Sequence, residues 1–356
     1  MKLLIVDDSA LMRRVLQQCF AEDPEIELMT ARDGEDALEK AREFQPDVIT
    51  LDINMPKMDG LTCLAHLTED CDAKVIMVSS LTEKGALATF EALELGAVDF
   101  VAKPGGTVSL NLDRVFDELR AKVRAAMGMR PVRRAPAPPP PRPRPAAAPP
   151  PRRALRRHAP ADVLLIGSST GGPKTVGAIL EALPVDFPIP IVVAQHMPER
   201  FTRIFSQRLN DSCALRVTEV TSAQLLEPGT AYIATGGADL ELRPRGMGLA
   251  VHPVAADDRY VWHPSVSRLV ASALDHVAAD RMLAVMLTGM GNDGAAEMAA
   301  LHDGGGRTIA ESAETAAVFG MPEQLIARDG ATKVLPSYRI ADQILRWSQT
   351  AAERTP

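Results

Sequence analysis

The chain has 356 residues, of which 46% are hydrophobic and 24% charged, and its formal net charge is −7. That length suggests two domains, and the composition excludes a fully disordered protein. No uncharged run reaches the ~18 residues that a membrane helix needs, and Asp7 and Asp8 stand where a signal peptide requires an apolar stretch. Four scattered cysteines without a CxxC motif indicate reduced thiols, so we expect a cytoplasmic protein without membrane insertion.

Proline and basic charge concentrate in one segment, Arg130 to Pro160, which holds 12 prolines, 9 arginines and no acid. It has too few apolar residues to offset its ordering entropy, so we predict a disordered linker over 127–160. Acidic residues outnumber basic ones on both sides of it. The segment is a solvated spacer or a ligand for nucleic acid or an acidic partner. It has no aromatic residue to stack on bases, which disfavours recognition of single-stranded nucleic acid.

Residues 1–126 alternate short apolar runs with amphipathic stretches. The pattern predicts strands over 2–6, 26–30, 47–51, 73–78 and 97–101, and helices over 9–21, 34–44, 58–67, 83–95 and 109–127. Regular alternation of this kind predicts a (βα)5 domain with a parallel sheet, whose reactive groups lie at the carboxyl ends of the strands.

Polar residues follow four of these strands. Asp7 and Asp8 follow the first strand, Asp52 the third, Ser79 the fourth and Lys103 the fifth. Carboxylates that share one sheet edge repel each other unless a cation lies among them, and oxygen ligands suit Mg²⁺. The set therefore predicts Mg²⁺-dependent phosphorylation of Asp52, with Ser79 and Lys103 binding the remaining phosphate oxygens.

Four motifs in this region resemble the receiver domains of two-component response regulators. They are LLIVDDS at 3–9, LDINMPKMDG at 51–60, VSS at 78–80 and VAKP at 101–104. The resemblance implies phosphorylation of Asp52 and Mg²⁺ binding by Asp7, Asp8 and Asp52. It also implies a switch through Ser79, Lys103 and Phe100, which is the aromatic switch position without the tyrosine hydroxyl that many relatives have.

The second region, 161–350, opens with an apolar strand over 162–166 and a glycine-rich turn that leads into a helix. Such a turn can cradle a phosphate or present a nucleophilic serine. Residues 167–171 fit G-x-S-x-G, the pattern of a nucleophile elbow, whereas neither the dinucleotide fingerprint nor a Gly-Lys-Ser/Thr is present. The loop by itself leaves both interpretations open and slightly favours the nucleophile.

Two further apolar strands end at reactive side chains. The strand over 189–194 precedes His196, and the strand over 282–287 precedes a glycine-rich loop that contains Asp293. Together with Ser169, these residues suit acyl chemistry, in which the imidazole removes the serine proton and the carboxylate orients the imidazole. The order Ser–His–Asp differs from that of the α/β-hydrolases. We predict a doubly wound α/β domain with a mostly parallel sheet.

Five motifs over 162–345 resemble the catalytic domain of the CheB family, the chemotaxis protein-glutamate methylesterases. They are IGSSTGG at 166–172, QHMP at 195–198, PGTAYIA at 228–234, LTGMGNDGA at 287–295 and VFGMP at 318–322. The resemblance implies that Ser169 is the nucleophile, His196 the base and Asp293 its orienting acid. It further implies support by Thr170, the Met290 amide in an oxyanion hole, and no cofactor in this site.

Two positions depart from the family pattern. Ser168, next to the nucleophile, stands where relatives often have alanine. At 262–267 the chain reads WHPSVS, where relatives tend to have HRPSVD. The loss of the arginine and of the final acid bears on substrate positioning and leaves the three catalytic residues intact.

The two resemblances imply a receiver at 1–126, a linker at 127–160 and a methylesterase domain at 161–350. We expect a monomer that hydrolyses glutamate γ-methyl esters on chemoreceptors, releases methanol and also deamidates receptor glutamines. A chemotaxis histidine kinase would phosphorylate Asp52 and so relieve a block by the receiver. The alternatives are a binding module without turnover and a DNA-binding output. The latter is disfavoured by a net charge of −6 over 161–356 and by the lack of a basic recognition helix.

Overall fold

A computed structural model describes residues 1–80, 82–103, 112–128 and 161–349. Residues 109–111 of the last predicted receiver helix and residues 129–160 of the predicted linker lie outside this set. Among the described residues, no helix combines the length and the apolar character needed to cross a membrane.

The first domain consists of five strands and five helices in strict alternation. Its strands are β1 (Lys2–Val6), β2 (Glu27–Ala31), β3 (Val48–Asp52), β4 (Lys74–Ser79) and β5 (Asp99–Ala102). Its helices are α1 (Ala10–Phe20), α2 (Gly34–Phe44), α3 (Gly60–Asp70), α4 (Glu83–Leu95) and α5 (Leu112–Gly128). The strands pair in parallel in the order β2-β1-β3-β4-β5, which confirms the predicted (βα)5 fold.

Side-chain caps begin four of these helices. Ser9, Asp33, Asp59 and Thr82 each accept a hydrogen bond from a backbone amide in the first turn of α1, α2, α3 and α4, respectively. Such caps satisfy amides that have no partner within the helix. Each helix therefore begins at a defined residue just beyond the sheet edge that carries the acidic cluster.

The second domain is larger and contains two sheets. The strands are β6 (Val163–Ser168), β7 (Ile191–Gln195), β8 (Arg216–Val220), β9 (Gln224–Leu225), β10 (Thr230–Ala234), β11 (Ala238–Arg245), β12 (Gly248–Ala255), β13 (Met282–Met286), β14 (Arg307–Glu311) and β15 (Lys333–Leu335). The helices are α6 (Gly172–Glu181), α7 (Glu199–Ser212), α8 (Val266–Leu274), α9 (Ala295–Asp303), α10 (Met321–Ile326) and α11 (Ser337–Gln349).

The larger sheet is parallel and has the order β15-β14-β13-β6-β7-β10-β8, while β11, β12 and β9 form a separate antiparallel sheet. The first strand, β6, lies in the middle, with β7 on one side and β13 on the other. The chain therefore winds outward in both directions from β6, and a crevice opens at the carboxyl ends of these three strands. The predicted doubly wound, mostly parallel fold is confirmed.

The two domains contact each other through an aromatic cluster between α4 and α7. Phe90 of the receiver stacks on Phe205 with ring centroids 5.6 Å apart and lies 6.5 Å from Phe201. Phe100, at the aromatic switch position, stacks on Phe201 at 4.4 Å. All four rings are buried, so the contact behaves as a small shared core between the domains.

Candidate active site

The predicted nucleophile lies in the turn that connects β6 to α6. The Ser169 amide donates to the Thr288 carbonyl at 3.0 Å, and the Ser169 carbonyl accepts from the Gly172 amide at 2.8 Å. Gly171 has a left-handed φ of +76°, which lets the chain turn sharply into the helix. The turn thus fixes Ser169 beside a helix N-terminus.

The two adjacent serines have different surroundings. Ser168 is fully buried and its hydroxyl donates to Gln195 Oε1 at 2.6 Å, whereas Ser169 is partly exposed. The Gln195 side-chain nitrogen donates to the carbonyls of Ser169 at 2.9 Å and His196 at 3.1 Å. The Ser168 hydroxyl is therefore engaged inside the fold, and the Ser169 side chain is the one that a substrate can reach.

His196 follows β7, and its ring meets Asp293 from the loop after β13. Its Nε2 lies 2.8 Å from Asp293 Oδ2, and the two side chains are 9% and 4% exposed. A carboxylate only accepts hydrogen bonds, so in the neutral ring Nε2 carries the proton and Nδ1 keeps its lone pair. No described residue bonds Nδ1. Nδ1 is thus the atom that can accept a proton.

Asp293 is held in its charged form at the N-terminus of α8. It accepts hydrogen bonds from Ser265 Oγ at 3.0 Å, the Val266 amide at 2.6 Å and the Ser267 amide at 2.9 Å. Burial opposes ionisation, but the hydrogen bonds from His196 and these amides outweigh it and keep the pKa of Asp293 below its usual value. An ionised Asp293 holds the His196 tautomer that leaves Nδ1 basic.

The loop after β13 lies directly on Ser169. A Cβ at Gly289 would come within 2.7 Å of the Ser169 Cβ, so a glycine is needed for this approach. Among the described residues, none accepts a hydrogen bond from the Met290 amide, and the buried Thr170 hydroxyl has no partner. These two donors near Ser169 are free to stabilise a negatively charged oxygen.

A buried carboxyl group anchors the same loop from below. Glu311, at the end of β14, is fully buried and accepts from the Thr288 amide at 2.8 Å and from Thr315 Oγ1 at 2.9 Å. Burial raises its pKa, against the opposing effect of these hydrogen bonds. Sequence inspection assigned no role to Glu311, Gln195 or Ser265. Gln195 and Ser265 lie inside the runs QHMP at 195–198 and WHPSVS at 262–267, and that position is the signal that could have found them.

The predicted acidic cluster forms at the carboxyl edge of the receiver sheet. One carboxylate oxygen from each of Asp7, Asp8 and Asp52 lies within 4.8 Å of the others. Lys103 Nζ pairs with Asp7 at 2.9 Å and with Asp52 at 2.8 Å. Burial raises the pKa of Asp52, and Lys103 opposes that effect. Three carboxylate oxygens this close together match the oxygen ligands that Mg²⁺ prefers.

The predicted switch residues Ser79 and Phe100 lie next to elements that form the domain contact. The Ser79 hydroxyl is buried and donates to the Gly85 carbonyl of α4 at 3.1 Å. Phe100 is buried, and Lys122 Nζ lies 5.2 Å from its ring centroid and donates to its carbonyl at 2.6 Å. Ser79 therefore contacts the helix that carries Phe90, and Phe100 itself stacks on Phe201 of the second domain.

The fold and the site together define a receiver domain joined to an α/β hydrolytic domain with a serine, a histidine and an aspartate at three neighbouring loops. Residues 164–344 match the CheB methylesterase family, and residues 3–112 match the response regulator receiver domain. The chain belongs to the CheB methylesterase family. That membership favours the esterase over a binding module or a DNA-binding output.

Relatives match over nearly the full length. The chain is 48% identical to a protein-glutamate methylesterase/protein-glutamine glutaminase of Rhodopseudomonas palustris, over 99% of both chains. It is 49% identical to a relative of the same name in Rhodospirillum rubrum, over 99% of this chain and 97% of that one. The crystal structure of the Thermotoga maritima CheB methylesterase catalytic domain matches with 36% identity and a TM-score of 0.50, covering 52% of this chain and 98% of that domain.

Proposed function

We propose that this chain is a phosphorylation-activated protein-glutamate methylesterase and protein-glutamine glutaminase. Its catalytic residues are Ser169 as nucleophile, His196 as general base and Asp293 as the orienting acid. The observation that carries this assignment is the His196–Asp293 pair, whose Nδ1 has no partner among the described residues, together with a partly exposed Ser169 beside a buried Ser168.

The first half-reaction forms an acyl-enzyme. Ser169 Oγ attacks the γ-carbonyl carbon of a methylated glutamate while His196 Nδ1 takes the hydroxyl proton. The carbonyl oxygen becomes negatively charged and is stabilised by the Met290 amide and the Thr170 hydroxyl; one such donor contributes about 3 kcal/mol. The imidazolium then gives its proton to the departing methoxide, which leaves as methanol.

The second half-reaction restores the enzyme. A water molecule attacks the acyl carbon as His196 Nδ1 takes its proton, and the Ser169 oxygen leaves and recovers that proton. The product is a glutamate side chain. A receptor glutamine reaches the same acyl-enzyme with release of ammonia, since only the leaving group differs.

The receiver supplies the control. We propose that a chemotaxis histidine kinase is the phosphodonor for Asp52 and that methyl-accepting chemoreceptors are the substrate. Asp7, Asp8 and Asp52 would hold Mg²⁺, which neutralises charge on the phosphoryl group when bound. Ser79 and Lys103 would bind the phosphoryl oxygens. The protein is proposed to act as a monomer, with a receiver at 1–126, a linker at 127–160 and a catalytic domain at 161–350.

Docking of the receiver against α7 keeps the unphosphorylated enzyme inactive by covering the cleft. The support for this proposal is positional. The Ser79 hydroxyl is bonded to the Gly85 carbonyl of α4 at 3.1 Å, and the same helix carries Phe90 into the contact with Phe201 and Phe205. A phosphoryl group that draws Ser79 toward Asp52 would break this bond and weaken the packing of α4.

The decisive experiment compares the two adjacent serines. Purified Ser169→Ala should release no methanol from methylated receptor, with or without acetyl phosphate. Ser168→Ala is the matched control, and its activity should stay within about tenfold of the parent because, among the described residues, the Ser168 hydroxyl makes a hydrogen bond only to Gln195. Normal release by Ser169→Ala would exclude it as the nucleophile. Loss of activity in Ser168→Ala alone would assign that role to Ser168.

A further inference from the structure

The indole of Trp262 lies parallel to the imidazole of His196. The ring centroids are 5.7 Å apart and the planes differ by 3°. Separations of 4.5–7 Å with parallel planes are typical of offset aromatic stacking. Trp262 has no place in the mechanism derived above, although its ring contacts the proposed general base.

Trp262 also packs on the loop that contains the proposed oxyanion donor. Gly291 has a left-handed φ of +80°, and a Cβ there would come within 2.7 Å of Cη2 and Cζ2 of Trp262. The six-membered ring of the indole therefore packs against the backbone of Gly291, the residue that follows Met290. A single side chain thus contacts both the base and the oxyanion loop.

The segment that carries Trp262 is firmly anchored in the chain. His263 Nδ1 lies 3.0 Å from Asp239 Oδ1, and the Ser265 amide donates to the same oxygen at 2.8 Å. Asp239 is buried and pairs with Arg268 at 3.0 Å. Because the residues directly after it are fixed to buried groups, Trp262 occupies a defined position and is not a freely moving surface side chain.

We propose that Trp262 is a positioning residue that fixes the plane of the His196 imidazole. The hydrogen bond to Asp293 holds one ring atom, Nε2, and by itself leaves the ring free to tilt about that atom. Stacking on a broad aromatic face removes this freedom and keeps Nδ1 in the orientation that the proposed mechanism requires. The indole face also attracts the imidazolium that forms when His196 takes the proton. This inference rests on the proposed role of His196 as base.

The first test uses the full chain activated with acetyl phosphate. Trp262→Leu removes the aromatic face and should lower kcat about tenfold, equivalent to about 1.4 kcal/mol, while KM changes less than twofold. Trp262→Phe keeps an aromatic face and should recover most of the loss. A parental kcat in Trp262→Leu, or an equal loss in the leucine and phenylalanine variants, would overturn the inference.

The second test does not depend on turnover. The chain has two tryptophans, so a Trp347→Phe background leaves Trp262 as the only indole fluorophore. The imidazole of His196 lies against the indole, so its removal in His196→Gln should shift the emission maximum of Trp262 at constant pH. An emission spectrum that is identical with and without the His196 ring would contradict the stacked contact.

The two proposals fail in different ways. If Ser169→Ala releases methanol at the parental rate, the proposed mechanism fails. If Ser169→Ala is inactive while Trp262→Leu keeps the parental kcat, only the positioning role of Trp262 fails.

Discussion

The contact between the domains predicts how strongly the receiver inhibits the esterase. Phe90 stacks on Phe205 at 5.6 Å and lies 6.5 Å from Phe201, and all three rings are buried. Each aromatic pair contributes about 0.5–1.5 kcal/mol beyond the burial of its area. Phe90→Ala should therefore weaken docking by about 1–3 kcal/mol, which corresponds to about 5- to 150-fold in the docking equilibrium.

The assay is the initial rate of methanol release from methylated receptor without a phosphodonor. Phe90→Ala should raise this basal rate toward that of the phosphorylated parent, because the undocked fraction increases. With acetyl phosphate, the variant and the parent should converge, since the proposed effect of phosphorylation is to undock the receiver of the parent. The basal rate of Phe90→Ala can exceed that of the parent by no more than the ratio between the parental rates with and without phosphorylation.

Phe44→Ala is the matched control. Phe44 is buried in the same domain on α2, where its ring lies 5.2 Å from Lys2 Nζ, and it takes no part in the aromatic cluster between the domains. This variant loses the same side-chain volume and should leave the basal rate low. An unchanged basal rate in Phe90→Ala would refute the docking proposal. An equal rise in both variants would attribute activation to receiver unfolding and not to the lost ring contacts.

Three further variants test individual groups. Asp52→Asn should no longer respond to acetyl phosphate in the methanol assay, and a preserved response would move the phosphorylation site elsewhere. Lys103→Gln should lower the free energy of unfolding of the receiver, measured in urea, by about 3 kcal/mol, because the close Asp7 and Asp52 carboxylates lose their cation. Mg²⁺ should restore part of the lost stability. A stabilisation of the same size by Mg²⁺ in the parent would contradict the prediction. Asp293 has a lowered pKa in the folded state, so its stabilising contribution is present above its ordinary value of about 3.9 and is lost as pH falls through the lowered value. Asp293→Asn should therefore lower the melting temperature at pH 7, with a difference from the parent that narrows below about pH 4, and should reduce kcat by roughly 10³–10⁴-fold. A difference that stays constant with pH would show that ionisation of Asp293 contributes nothing.

The elements that carry the chemistry could be predicted because the strands of a parallel sheet are covered on both faces. Their sequences are continuous apolar runs, and β1 was predicted to the residue. The predicted strand ends are less accurate where a residue with a polar side chain still pairs with the neighbouring strand. Asp52 pairs with Val78 inside the sheet, but its charge places the predicted end of that strand at residue 51. Local polarity does not reveal that this buried carboxylate is paired with Lys103, which follows a strand two places away in the sheet.

Three features of the site could not be predicted, because each depends on which atoms meet in three dimensions. Nothing in the sequence specifies that His196 presents Nε2 to Asp293 and leaves Nδ1 without a partner among the described residues. The different surroundings of the adjacent serines follow from the position of Gln195. The stacking of Trp262 on His196 depends on a loop that is close to His196 only in the folded chain. Periodicity identifies the face of an element but not the partner of one atom.

The connection between His196 and α7 decides how docking can inhibit. Helix α7 begins only three residues after His196. The docked receiver could therefore inhibit in two ways, by moving α7 and with it His196, or by covering the cleft. The short connection is, however, tightly packed against Gly236. A Cβ at Gly236 would overlap the Met197 carbonyl oxygen and the Glu199 amide. The Gly236 amide also donates a hydrogen bond to Thr202 on α7 at 3.1 Å.

A tightly packed connection leaves little room for α7 to displace His196, so docking of the receiver should act by restricting the access of substrate to the active site. A small soluble ester such as p-nitrophenyl acetate should then be hydrolysed at rates within about twofold by the parent with and without acetyl phosphate, while release of methanol from the large receptor rises. Ser169→Ala gives the background rate to subtract. If both substrates were accelerated to the same extent, docking would act on the catalytic residues themselves, and the connection between His196 and α7 would be the place to look for the movement.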